Sequence, residues 1–476
     1  MSEASTTSPA AVPEVVVVGG GITGLAAAWF LRRDARVTVL EAEERLGGKI
    51  RTETLGGVPV EAGPDTFLAR EPEAVDLCRQ LGLGDALVAP ANNKAWVWSR
   101  RKLRRLPEPH VLGVPLELRP VLRSGLVSGP GVARAALDLV LPRRRDGGDR
   151  SVADLIGNRL GTEVLDRLVE PLVGGINAGT ATGLSLASTA PPLARAATTS
   201  RSLLLSLRRA RRLATDATPP PGPLFLGLAG GMERLVAALR ESLFAAGVEL
   251  RTGTGVACVE ATEPAAGAGR PRVRVVLQDG PPIDADAVVL TAPAFAAAEL
   301  LAGSAPDTAA ELADIETASV CVATLAYPVD AVRTYLDGAG FLVPRVDGRL
   351  VTACTWTTSK WPELRRGGHV LLRGSAGRAG DTRAMQLDDD ALVARVADEL
   401  REALTLAADP MSARVDRWPR AFPQYQPGHA ARVARIEAAL ARELPAVHLA
   451  GASYRGIGIA ACIRSAHTAA NQVRNP

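Results

Sequence analysis

Aromatic residues are scarce in this chain: seven Phe, four Tyr and six Trp among 476 residues. So few rings argue against an extended base-stacking surface. Cysteine is sparse too. Cys78, Cys258, Cys321, Cys354 and Cys462 are odd in number, scattered, and form no Cys-x-x-Cys pair. That spacing points away from a disulfide framework or thiolate zinc site, and towards reduced thiols filling the core of a cytoplasmic protein. Only five histidines occur, and no Ser-His-Asp or Cys-His nucleophilic arrangement is evident. His429 and His467 are read as structural. No run approaches about 18 uninterrupted apolar residues, so no bilayer-spanning helix is expected. Residues 1–13 form a polar Ser/Thr/Ala/Pro tail without the basic and apolar regions of a leader, and disorder is expected there.

What is present suits a globular protein. Hydrophobic residues make up 47% and charged residues 22%, and the length suits about two or three domains. The net charge of +4 hides an uneven spread. Residues 91–216 hold 21 Lys/Arg against 10 Asp/Glu, concentrated in Arg100–Arg105, Arg143–Arg145 and Arg208–Arg212. Solvated helix faces account for such runs. So does a basic surface that gathers anionic substrates or rests peripherally on anionic lipid. Nucleic acid is not expected as a partner, because no nucleic-acid motif accompanies the charge.

The densest signal lies near the N-terminus. Residues 15–24 read Val-Val-Val-Val-Gly-Gly-Gly-Ile-Thr-Gly, an apolar strand running into a glycine turn. A helical stretch follows from Leu25, then a second apolar strand, Arg36–Leu40, ending at Glu41. This βαβ pattern fits the dinucleotide fingerprint. Gly19 would make the tight turn, Gly21 would admit a pyrophosphate, and Gly24 would let helix and strand pack closely. Gly20, Ile22 and Thr23 complete the cradle, whose helix N-terminus suits an anion. Glu41, with Ala42 beside it, stands where an acid would bind the adenosine ribose.

Two further segments favour FAD over NAD. Arg45-Leu-Gly-Gly-Lys-Ile-Arg-Thr52 adds a second glycine pair between basic residues, suited to a longer dinucleotide with further phosphate contacts. Arg45, Gly48 and Lys49 are its candidate ligands. Near the C-terminus, Val447–Ile459 reads as a strand and glycine-rich turn leading into a helix. Its backbone would lie along one edge of a flavin, where a helix dipole stabilises the reduced anion.

The fold class expected is therefore α/β: a Rossmann-type FAD-binding domain with a β-rich substrate domain and an inserted helical domain. The FAD-binding domain is assigned to 14–70, 224–300 and 418–473. The helical, basic and potentially membrane-facing insert is 71–215, with amphipathic stretches at Pro72–Leu81 and Val152–Val169, and it ends at the proline-rich linker 218–223. The β-rich substrate domain is 301–417. Residues 261–269 read as a low-complexity loop.

Several motifs carry a family resemblance: Glu61-Ala-Gly-Pro-Asp-Thr-Phe-Leu-Ala-Arg70, Glu170-Pro-Leu-Val-Gly-Gly-Ile-Asn-Ala-Gly179, Gly230–Leu235, Thr355–Pro362, Arg417–Tyr425 and Tyr454–Ile459. Collinear from about residue 14 to 473, they resemble the oxygen-dependent protoporphyrinogen/coproporphyrinogen oxidases, within the monoamine-oxidase-like flavoproteins. The Gly63–Arg70 run is most similar to the soluble Gram-positive branch. The resemblance implies FAD, coproporphyrinogen III as substrate, and haem biosynthesis. It implies three rounds of hydride transfer to flavin N5, with dioxygen reoxidising the flavin and hydrogen peroxide released. It places Gly63, Pro64, Asp65 and Thr66 along the flavin, Val256 at the adenine, Trp418 near the isoalloxazine, and Ile457, Gly458 and Ile459 at the pyrimidine edge. No catalytic side chain is required, since the flavin does the redox work.

Arg70, then Arg373 and Lys360, are candidate partners for substrate propionates. Asn177 and Thr180 stand where relatives often carry Tyr and Asp, Ser375 where a tyrosine is often seen, and Glu71 where a lysine is common, which implies a wider or differently lined pocket. Three alternatives stay open at this point: protoporphyrinogen IX as main substrate, another amine-oxidase-type enzyme such as an amine oxidase or carotenoid desaturase, and a non-catalytic FAD- or porphyrin-binding protein. Transient contact with downstream haem-pathway enzymes and homo-oligomerisation are further expectations about partners.

Overall fold

The structure, a computed structural model, describes residues 12–142, 148–216, 222–262 and 272–475. The expected disordered tail (bar its last two residues), the Arg143–Arg145 run, most of the 218–223 linker and most of the 261–269 loop lie outside them.

A five-stranded parallel sheet organises one half of the molecule, in the order Glu249–Arg251, Arg36–Leu40, Glu14–Val18, Ala287–Leu290, Val447–Leu449. Val15–Val18 and Ala287–Leu290 are buried throughout, because both faces of the sheet are covered, so these strands read as unbroken apolar runs. Helices Ile22–Leu31, Glu233–Ala245 and Ile459–Arg474 pack on one face. The antiparallel strands Val256–Thr262, Arg272–Leu277 and Ile283–Ala285, with helices Ala294–Leu301, Pro306–Ala313 and His429–Glu443, cover the other. Since all five strands run the same way, the loops leaving Val18, Leu40, Arg251, Leu290 and Leu449 gather along one edge, the usual ligand-binding edge of such sheets.

A second, seven-stranded sheet has the order Ser412–Pro423, Thr317–Pro328, His369–Ala376, Val351–Trp356, Gly340–Leu342, Ala95–Ser99, Lys102–Arg105. Helix Asp389–Leu404 packs on one face through Leu392, Val396 and Leu400. Arg373 and Ser375 lie on the opposite face, two residues apart on one strand.

This sheet corrects two boundaries drawn from the sequence. Residues 71–215 are not helical throughout. Ala95–Ser99 and Lys102–Arg105 form a hairpin and pair with the sheet through Gly340–Leu342. Arg100 and Arg101 turn the hairpin with φ of 52° and 59°, the left-handed pair of a tight two-residue turn usually given to Asn-Gly, so a turn was hidden inside a basic run. The 417/418 boundary falls inside one strand, Ser412–Pro423, which carries Trp418 on the seven-stranded sheet. The stretch Val152–Val169 is also not a single helix. Val152–Leu160 ends at Gly161 (φ 88°), and Leu165–Val169 is wound as a π-helical turn. The helices that follow, to Leu207, share a separate core with Val121, Leu155, Ile156 and Leu193.

Candidate functional site

Gly19 leaves the central strand with φ 107°, a backbone state that glycine adopts without strain, and its N–H donates to Leu40 O at 2.7 Å. A Cβ on Gly24 would overlap Gly19 O, so only glycine lets this helix approach the turn. Gly21 caps helix Ile22–Leu31 with no side-chain cap, and a Cβ on it would meet nothing within 4 Å. The first-turn N–H groups, at half-buried Ile22 and buried Thr23, therefore open on unfilled space at the positive end of the helix. Gly458 repeats the device. It caps Ile459–Arg474 without a side-chain cap, and again nothing lies within 4 Å of a Cβ placed there. Half-buried Ile457 precedes it and buried Ile459 follows.

Glu41 turns back over the same cradle. Its Oε2 accepts Gly20 N–H at 2.6 Å and its Oε1 accepts Glu43 N–H at 2.9 Å, with Ala42 exposed beside it. The second glycine turn packs against the first: Gly47 N–H donates to Gly20 O at 2.8 Å. Arg45 braces it, donating to Gly48 O and Ile50 O, both at 2.8 Å. Lys49 has accessible surface, yet desolvation by the surrounding protein lowers its pKa, against a raising influence from Cys462. Thr254 N–H reaches Glu41 O at 2.8 Å, which brings buried Val256, paired with Leu277, into the same neighbourhood.

The segment Glu61–Thr66 links this cradle to the seven-stranded sheet. Gly63 passes so close to Lys49 O that a Cβ would overlap it. Trp418 Nε1 donates to Ala62 O at 2.9 Å. Arg373 donates to Gly63 O at 2.6 Å and Ala62 O at 3.3 Å. Lys360 Nζ lies 2.6 Å from Asp65 Oδ2, with Trp361 Nε1 at 3.4 Å, and Thr66 Oγ1 donates to Asp65 Oδ1 at 3.2 Å beside half-buried Pro64. Burial works against ionisation of Asp65, but Lys360 and Arg373 outweigh it and hold the carboxyl at about 2. Glu61 behaves in the opposite way. Burial pushes it up to about 7, against the Met232 N–H at 2.7 Å and Thr52 Oγ1 at 3.1 Å. Lys360 and Arg373 were expected to take substrate carboxylates; here both are engaged in holding this loop.

Arg373 and Ser375 open a wall that continues through Thr355 and Ala353 to Leu342, residues in register on one face. Leu342 faces helix Glu170–Asn177, its Cδ2 3.4 Å from a Cβ built on Gly175. Gly175 and Ile176 are nonetheless exposed, between buried Gly174 and Asn177, so the helix keeps accessible surface beside this wall. Asn177 ties the helix end: its Nδ2 donates to Val173 O at 2.8 Å and its backbone O accepts Gln424 Nε2 at 3.1 Å. Arg70 is exposed and has no polar partner among the described residues.

The sequence matches the profile for flavin containing amine oxidoreductases over residues 22–474. The chain belongs to that family. It is 35% identical over 458 residues to the coproporphyrinogen III oxidase of Bacillus subtilis (strain 168), covering 94% of this chain and 95% of that one. It is 36% identical over 475 residues to the coproporphyrinogen III oxidase of Mycobacterium tuberculosis (strain ATCC 25618 / H37Rv), covering 96% of each. The crystal structure of an Exiguobacterium sp. 255-15 protein described as a protoporphyrinogen oxidase superposes with a TM-score of 0.86 at 30% identity, covering 97% of this chain and 99% of that one.

The cofactor of this flavin containing amine oxidoreductase is FAD. Its residues fit that group: two uncapped helix starts with nothing beside their glycines, an acid at the end of the second strand, and a loop passing at backbone contact across Lys49. Among the described residues no cluster of His, Cys, Asp and Glu could hold a metal ion, and no helix is long and apolar enough to cross a membrane. All five cysteines are free. His429 stacks on Tyr425 at 4.0 Å and bonds Tyr454 O at 2.9 Å, and His467 packs against Phe30. Sequence reasoning missed the half-buried acid Glu61 and its partner Thr52. The one cue was a carboxylate closing the half-buried strand Val58–Glu61.

Proposed function

We propose that this flavoprotein oxidises coproporphyrinogen III to coproporphyrin III in haem biosynthesis, passing the electrons to dioxygen. The observation that carries this reading is the end-to-end similarity to coproporphyrinogen III oxidases at 35–36% identity. The conversion removes six electrons and six protons, balanced by three dioxygen molecules reduced to three hydrogen peroxide. Bound FAD would supply the two-electron acceptor for each of three rounds.

The chain's own part is binding and orientation. Gly19–Gly24 and the N–H groups of Ile22 and Thr23 would receive the pyrophosphate, Glu41 the ribose hydroxyls, and Arg45, Gly48 and Lys49 would extend that pocket. Val256 would meet the adenine, and Ile457, Gly458 and Ile459 the far edge of the flavin. Gly63–Thr66 would lie along its side, fixed by Lys360, Arg373 and Trp418. The wall that runs from Arg373 and Ser375 to Leu342, beside helix Glu170–Asn177, would position the macrocycle against the ring.

The test is product fluorescence under air, with coproporphyrinogen III and protoporphyrinogen IX compared in parallel and autoxidation subtracted with heat-killed protein. Faster oxidation of coproporphyrinogen, with peroxide released, is the expected result. A preference for protoporphyrinogen would move the enzyme to the other route to haem. A yellow, FAD-loaded protein that oxidises neither would overturn the reading.

A further inference from the structure

The inference below rests on the porphyrinogen reading. The reactive carbons of a porphyrinogen lie within its ring, and its carboxylates hang from the rim, four in coproporphyrinogen III and two in protoporphyrinogen IX. With Lys360 and Arg373 engaged at the cofactor loop, the rim carboxylates need other cations.

The arginines around this wall fall into two groups. Arg167 is paired with Asp347 at 3.4 Å, Arg349 with Glu402 at 2.5 Å, Arg383 with Asp381 at 2.7 Å and Arg414 with Asp416 at 2.9 Å. The side chains of Arg345 and Arg378 make no hydrogen bond or ion pair among the described residues. Both are nevertheless held in place by their neighbours. Arg345 opens the short turn Arg345–Asp347, which is fastened through Asp347 to Arg167, three residues before helix Glu170–Asn177. Arg378 sits beside Ala379, whose N–H donates to Ala178 O at 2.8 Å at the other end of that helix. Ala379 also packs against the small cluster of Ala178, Ala318 and Val320 that Trp418 joins, so the backbone at Arg378 is anchored next to that cluster.

Glu170 lies between the two. It is 7% exposed, its Oε2 accepts Ala181 N–H at 2.6 Å, and its Oε1 is buried without a partner. The charges of both arginines act on it, while burial raises its pKa. Asp166 also acts on Glu170, and Asp381 on Arg378, yet neither guanidinium group is tied to a carboxylate by an ion pair among the described residues, and both stand near the helix that carries exposed Ile176.

We propose that Arg345 and Arg378 receive the rim carboxylates of the substrate and set the preference for a four-carboxylate over a two-carboxylate macrocycle. Guanidinium forks bind carboxylates in two-point fashion, which fixes orientation as well as supplying charge.

The experiment is steady-state oxidation under air by wild type, Arg345→Met, Arg378→Met and the double variant, with FAD content read from absorbance. Each substitution should raise KM for coproporphyrinogen III about tenfold, equal to ~1.4 kcal/mol, with kcat falling far less. Protoporphyrinogen IX should respond less, Arg→Lys should recover part of the loss, and the tetramethyl ester of coproporphyrinogen III should show one KM across all four proteins. An unchanged KM for coproporphyrinogen in FAD-loaded variants, or an equal loss for acid and ester, would overturn the proposal. A wild type inert towards both porphyrinogens would instead remove the function on which it rests.

Discussion

Replacing Lys360 by Met should loosen the cofactor loop through Asp65. In the folded protein Asp65 ionises at about 2 in place of its ordinary 3.8, so its carboxylate is favoured by about 2 kcal/mol in spite of burial. A depressed folded pKa contributes stability that is full above the ordinary value and is lost as pH falls through about 2. With Lys360 gone, burial is opposed by Arg373, Trp361 and the Thr66 hydroxyl, and a largely buried charge has lost its closest partner, at a cost of about 3 kcal/mol. Asp65→Asn removes the charge from the other side. The assay is a double-mutant cycle on thermal unfolding at pH 7, with retained FAD read alongside. The double variant should be more stable than the sum of the single losses by at least ~1 kcal/mol, and acid should destabilise Lys360→Met at higher pH than wild type. Losses that add within about 0.5 kcal/mol would refute the coupling, and full FAD retention by Lys360→Met would refute the link from ion pair to cofactor loop.

Two other perturbations read different parts of the site. Glu61 holds a proton up to about 7 when folded, against 4.5 ordinarily, so wild-type stability falls as pH rises between those values and stays lower above them. Glu61→Gln should therefore gain on wild type across pH 5 to 7.5 in melting curves, by at most about 3 kcal/mol; a difference independent of pH would contradict this. Gly21 has extended backbone, with φ −70° and ψ 178°, and open space beyond its Cα. Gly21→Trp should accordingly fold with an unchanged melting temperature without added flavin, yet purify colourless; a yellow variant would move the cofactor elsewhere.

Local chemistry was the part most legible in the sequence. A glycine that must turn with φ 107°, a glycine with no room for a Cβ and an acid one strand later are constraints of neighbouring backbone, so Gly19, Gly24 and Glu41 stood out from spacing alone. The fully buried run Val15–Val18 announced itself as an apolar strand. The hairpin of Ala95–Arg105 did not, because Arg100 and Arg101 occupy left-handed positions where glycine or asparagine would have marked the turn. The engagement of Lys360 and Arg373 was equally hidden. Their partners lie 295 and 310 residues earlier, and a cation in a motif looks the same whether it faces a ligand or its own backbone. Glu170 and the two unpaired arginines around it come from segments that only the fold brings together.

The parallel sheet also sets an order of assembly. Its strands begin at residues 14, 36, 249, 287 and 447, and the second uncapped helix start is Gly458. A ribosome working from the N-terminus makes the first glycine turn almost at once, then synthesises most of the chain before the fifth strand exists. Until then the nascent βαβ unit lacks its outer strand and the second helix end. Tight flavin retention thus becomes a property of finished molecules, and a prematurely terminated chain is marked by its inability to keep the pigment.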